Sequence, residues 1–147
     1  MLIQAYNLAR DIMRASGIEI DDKGCPALVI DSDKPCASYR HWTHTVHVNP
    51  TYADDLSTLA HECCHSLQAN VADIMIAYGE QYKTFDGYYS CPLEREAFFV
   101  EAVIESGLTD IRHGDVLRYR GGKNDKPTRS LRLRLNNLKR SKKNENC

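Results

Sequence analysis

The twelve residues Leu56-Ser57-Thr58-Leu59-Ala60-His61-Glu62-Cys63-Cys64-His65-Ser66-Leu67 decide how this chain is read. Leu56, Leu59, Ala60, Cys63 and Leu67 recur at three- and four-residue spacing, the stripe of a helix packed by one face. Upstream, Thr51 and Asp54 have the spacing of a capping box, so the expected helix runs from about residue 52 to 69. On such a helix residues four apart stand one above the other, and His61 and His65 can turn their imidazoles toward one zinc ion. Glu62 lies beside that face, where its carboxylate can accept a proton from a water acidified by the metal. Cys63 belongs to the apolar stripe and Cys64 flanks it; both are expected to be small core residues.

Working outward, Met1 to Ser16 carries Leu2, Tyr6, Ala9, Ile12 and Met13 at helical spacing, with Gly17 as its end. Arg10, Asp11 and Arg14 interrupt any signal-like apolar run. Ala27-Leu28-Val29-Ile30 reads as a short buried strand closed by the turn Asp31-Ser32-Asp33. From Trp42 to Asn49, Trp42, His44, Val46 and Val48 alternate with Thr43, Thr45, His47 and Asn49, which predicts a second strand with one buried face. His41, His44 and His47 invite reading as a second metal site. In a strand, however, His44 faces away from the other two, so structural or substrate-lining roles are expected. Val71 to Tyr82 continues helically and Lys83 to Cys91 is a loop rich in Gly and Tyr. Pro92 then opens a further helix bearing Leu93, Ala97, Phe98, Val100 and Ile104, with Gly107 as its end.

Catalytic zinc needs a third protein ligand and an open fourth position. The segment Glu94-Arg95-Glu96-Ala97 begins 29 residues after His65. It resembles the E-x-x-A element of gluzincin metallopeptidases, and the resemblance implies that Glu94 is the third ligand beside His61 and His65, with Glu62 as general base. Glu96 is its competitor, but it points about 200° away around the helix, so only one of the two can face the metal. Within the gluzincins the likeness is to small bacterial and phage proteins of the ImmA/IrrE type, over residues 40 to 105. Phe98 departs from that pattern, standing where Asp or Asn usually supports a zinc-bound histidine. Glu101, one helical turn later and two turns after Glu94, is placed to substitute. The resemblance also implies a strand above the metal that holds an extended substrate by antiparallel pairing, a role assigned to Thr43 to Val48. For the oxyanion, Tyr88, Tyr89, His113 and Tyr119 are candidates by side-chain type alone.

Composition bounds the rest. The 147 residues allow one domain with a modest core, and no apolar run approaches the roughly 20 residues of a membrane span. The formal charge of -1 hides a division: residues 1–110 hold 7 basic and 17 acidic side chains, whereas residues 111–147 hold 12 basic and 3 acidic. Such a tail suits non-specific, salt-dependent nucleic-acid binding, a solvated and partly disordered end, or an arm that folds onto its own acidic body. Leu131, Leu133, Leu135 and Leu138 fit a helix face or a strand side equally. The six cysteines include no CxxC pair, and free thiols in a cytoplasmic setting are expected.

The expectation is therefore an α+β, minimal zincin-like domain over residues 1–114: a small sheet with its edge strand over the HExxH helix, followed by a third-ligand helix. A basic, partly flexible extension occupies 115–147. The function expected is zinc-dependent hydrolysis of peptide bonds, with Zn2+ held by His61, His65 and Glu94. The resemblance adds a protein or peptide substrate, with a transcriptional regulator as the default class, no membrane partner, and a phage or mobile-element setting. Three alternatives stand beside it: a DNA-associated SprT-like protease, whose third ligand is usually His; a non-catalytic module in which zinc serves folding; and an inactive relative that keeps the motif.

Overall fold

The structure, a computed structural model, describes residues 1–69, 71, 91–108, 110–112 and 115. Over these residues it is a small α+β domain of three α-helices and a three-stranded mixed sheet. Helix α1 spans Leu2–Ala15 and buries Ala5, Tyr6, Ala9, Ile12 and Met13. Its chain leaves through Gly17, whose φ of 76° is the left-handed conformation that glycine adopts without strain. Three short strands follow, β1 (Ala27–Ile30), β2 (Ala37–Arg40) and β3 (Thr45–Val48). Helix α2 is Leu56–Leu67 and helix α3 is Pro92–Ser106.

Helix α2 is the centre of the packing: α1 and α3 lie against it, and β2 and β3 cover it. That position explains the adjacent cysteines. A helix covered on several sides needs small apolar side chains on more than one face, and Cys63 and Cys64 are both fully buried. Cys64 Sγ sits 3.4 Å from Met13 Sδ on α1. All five cysteines among the described residues are free thiols. Burial pushes the Cys63 and Cys64 thiols well up, so neither is a thiolate.

Helix α2 begins later than its spacing predicts. Asn49 Oδ1 accepts from the Thr51 backbone N–H at 2.9 Å and organises a single 3-10 turn, Pro50–Tyr52. Asp55 takes the N-cap position, and its carboxylate accepts from the Ser57 and Thr58 hydroxyls. The Thr51/Asp54 box therefore does not start the helix. Helix α3 keeps its expected bounds, with Pro92 in its first turn and Gly107 at φ 72° after its end. Its deepest aromatic is Phe99, fully buried, while Phe98 is half-buried.

The sheet departs most from expectation. Its order is β1-β3-β2, with β1 parallel and β2 antiparallel to β3. The strand predicted at the edge is thus the central one, bonded on both sides, and cannot receive a substrate. Trp42 to His44 do not belong to it: Arg40 pairs with Thr45, and the residues between make the hairpin turn, with His44 at φ 51°. Val46 and Val48 are fully buried as expected, whereas Trp42 is 70% exposed. β1 was expected to be buried, yet all four of its residues are exposed, because it pairs at the outer edge away from α2. Among the described residues, no helix is long and apolar enough to cross a membrane. The expectations for Val71 to Tyr82, the Gly/Tyr loop and the basic extension fall almost entirely outside the described residues.

Candidate metal centre

His61 and His65 emerge from the last two turns of α2, and Glu94 from the first turn of α3 directly opposite. The three side chains meet. His61 Nε2 is 3.0 Å from Glu94 Oε2, and His65 Nε2 is 3.0 Å from Glu94 Oε1, so one carboxylate spans both imidazoles. The two rings lie edge to face, with centroids 5.0 Å apart. All three are the ligand-capable group found among the described residues, their donor atoms within 4.8 Å of one another.

These residues fit a zinc ion. Two imidazole nitrogens and one carboxylate are a donor set of catalytic zinc, and bond lengths of about 2.0–2.1 Å place tetrahedral ligand atoms roughly 3.3 Å apart. Each imidazole Nε2 is 3.0 Å from one Glu94 oxygen and the three donor atoms lie within 4.8 Å of one another, so small side-chain turns bring them to that spacing. Glu96, the competitor for Glu94, is turned elsewhere: its Oε2 accepts from Gln68 Nε2 at 2.9 Å.

The electrostatics follow from burial. Burial alone would pull His61 down, but the carboxylates of Glu101 and Glu94 outweigh it and push the imidazole up to about 10. His65 moves the same way: burial opposes its charge, and Glu94 more than compensates. Glu94 is the mirror case. Desolvation would raise it, but His65 and His61 hold its carboxyl well below the ordinary range. Without metal the group is a buried carboxylate between two imidazoles whose protonated forms it favours, so protons compete with zinc for their nitrogens.

A pH prediction results. Zinc must displace those protons, so its apparent affinity should rise about tenfold per pH unit for each proton displaced. The rise should continue beyond the ordinary imidazole value of 6.5 toward about 10. For metal-free protein the sign reverses. Stability supplied by His61 is complete below 6.5 and is lost as pH rises through its raised value. Zinc titration against a competing chelator at a series of pH values checks the first part; a plateau at pH 7 would contradict it.

Glu62 is 8% exposed and lines the same cavity as His61, His65 and Glu94. Burial raises its carboxyl, opposed by the two histidines, which brings it nearer the range where a general base works at neutral pH. The cavity is about 430 Å3, and its other walls include Ala37, Ser38 and Tyr39 of β2 and His41 and Trp42 of the hairpin turn.

Among the described residues, the remaining histidines do not converge. His44 Nδ1 meets the Tyr39 hydroxyl at 2.8 Å and its Nε2 meets the Gly24 carbonyl at 2.9 Å, so it ties the hairpin to the segment before β1. His47 Nε2 lies 3.1 Å from Thr45 Oγ1. His41 packs edge to face on Trp42 at the cavity. The oxyanion candidates Tyr88, Tyr89, His113 and Tyr119 lie outside the described residues.

Sequence reasoning missed Gln68. Its Nε2 faces two acceptors, the Leu93 carbonyl at 2.8 Å and Glu96 Oε2 at 2.9 Å, so this atom must be the amide nitrogen. Its Oε1 is then fixed toward His65 Nδ1 at 2.8 Å and accepts from it. Standing three residues after His65 on the same helix was the one available signal. Compared with known protein families, curated proteins and solved structures, the chain matches none.

Proposed function

We propose that this chain is a zinc-dependent metallopeptidase, a minimal gluzincin-type zincin. The observation that carries the reading is the convergence of His61 Nε2 and His65 Nε2 on the two oxygens of Glu94, beside a cavity that Glu62 also faces. Zinc, when held by these three residues, would acidify a water and polarise the scissile carbonyl. Glu62 takes the proton of the attacking water as it bonds to the carbonyl carbon. It then passes that proton to the leaving amine nitrogen as the peptide C–N bond breaks.

A peptide substrate is supported by the outer strand β2. Ala37, Ser38 and Tyr39 line the cavity, and an extended chain pairing with β2 would form a fourth strand beside the reactive group. The role first assigned to Thr43 to Val48 thus passes to Ala37–Arg40. A glutamate third donor favours the gluzincin reading over the SprT-like one. Among the described residues the converging group contains no cysteine, which weighs against a cysteine-completed folding site. A transcriptional regulator as substrate rests on the ImmA/IrrE resemblance alone, as does a phage or mobile-element setting.

The test is direct. Purified protein should carry about one zinc per chain, held by the converging group His61, His65 and Glu94. A chelator should abolish cleavage of an unfolded protein such as casein, and zinc should restore it. Full cleavage after complete metal removal would overturn the proposal.

A further inference from the structure

We infer that Gln68 and Glu101 are positioning residues that fix both histidines with Nδ1 protonated and Nε2 turned to the metal, Gln68 acting on His65 and Glu101 on His61. The inference rests on the zinc reading above and extends it to residues outside the ligand set.

Gln68 is held as a positioning group must be. It is 2% exposed, and as the residue closing α2 it donates its backbone N–H to the Cys64 carbonyl at 3.0 Å. An isolated antiparallel bridge joins it to Ile20, and the neighbouring Asp21 N–H bonds the Leu67 carbonyl at 2.7 Å. Its amide then reaches across to α3, where the Leu93 carbonyl and Glu96 set which end is nitrogen. With the oxygen thereby aimed at His65, the imidazole must donate from Nδ1. Its Nε2 lone pair is the one left for a metal. Glu96, which the sequence offered as a rival ligand, instead orients the residue that orients a ligand.

His61 is served differently. Phe98 occupies the position where a supporting carboxylate was expected, and its ring packs edge to face on His61 with centroids 4.8 Å apart. The carboxylate comes from one turn further along α3: Glu101 Oε1 is 2.8 Å from His61 Nδ1. The nitrogen has no well-aligned hydrogen-bond acceptor despite that short distance. At 2.8 Å a small turn of the Glu101 carboxylate brings an oxygen into line with the Nδ1–H. The Glu101 side chain is 27% exposed and has room to turn. Phe98 limits ring rotation while Glu101 selects the tautomer, so packing and charge divide a task that one carboxylate performs elsewhere.

The experiment measures zinc affinity of the full chain by competition with a chromophoric chelator, with the visible spectrum of the cobalt-loaded protein as a second readout. Metal-free melting controls for folding. Gln68→Ala and Glu101→Ala should each weaken zinc binding about 10- to 100-fold and shift the cobalt bands. Glu101→Gln keeps an acceptor oxygen and should recover most of the loss. Folded Ala variants that bind zinc within twofold of the parent would overturn the inference, as would Glu101→Gln binding as weakly as Glu101→Ala. Should Gln68→Ala fail to fold, Gln68→Glu retains an oxygen for His65 while opposing Glu96, and the Glu101 pair still decides. A parent chain that takes up no zinc at all would instead overturn the proposed function, a result distinct from intact zinc binding in the variants.

Discussion

Glu62→Gln should leave a folded protein that binds zinc normally yet cleaves peptide bonds about 100- to 10,000-fold more slowly, the usual worth of a positioned general base. The separation of binding from chemistry follows from where Glu62 stands. It lines the cavity but is not among the converging donors His61, His65 and Glu94. Glutamine preserves its volume in a position only 8% exposed, so packing of α2 should hold. What disappears is the capacity to take a proton from water and deliver it to the leaving nitrogen. Zinc content by atomic absorption and cleavage of a labelled unfolded protein, measured on the same preparation, test both halves. Undiminished cleavage would sink the mechanism; lost zinc with lost cleavage would move Glu62 into the metal site.

The parts of this fold that could be read from the sequence are those specified by residues near one another in the chain. The stripe through Leu59, Ala60, Cys63 and Leu67 places α2, and Pro92 with Gly107 brackets α3. The convergence of His61, His65 and Glu94 was legible for the same reason, since each sits at a set place on its helix. The sheet was not, because pairing depends on partners far along the chain. Alternation through Trp42 and His44 looks like a strand, but the Arg40–Thr45 pair turns those residues into a hairpin loop. Ala37-Ser38-Tyr39-Arg40 has no β-branched residue and is too short for its alternation to stand out, and only its register against β3 makes it a strand. Ala27-Leu28-Val29-Ile30 is apolar enough to suggest burial, yet topology leaves it at an exposed edge. Gln68 was invisible on similar grounds: its role depends on Leu93 and Glu96, 25 and 28 residues away.

Glu94 carries the second large effect. Glu94→Gln should cost more zinc affinity than the roughly 10- to 100-fold loss expected when an outer partner of a ligand is removed. It deletes the only anionic donor in the converging group and the negative charge that offsets the dication. Glu96→Gln should cost much less, because the new amide still offers an oxygen to Gln68 Nε2 and never faces the histidines. The two glutamates stand two residues apart on α3, so the comparison holds helix position and side-chain length nearly constant. Metal-free stability gives a second, opposite-signed check. In the parent, Glu94 is held ionised between two imidazoles whose protonation it favours, and removing one member of a buried ion pair costs about 3–5 kcal/mol. For Glu94→Gln the loss should be largest near pH 6, where both imidazoles are charged, and should shrink as rising pH discharges them. Denaturant unfolding of metal-free protein at pH 6 and above about pH 10 measures that difference. Zinc retained by Glu94→Gln and lost by Glu96→Gln would reverse the ligand assignment, and a pH-independent stability loss would remove the charge-based account of how Glu94 joins α2 to α3.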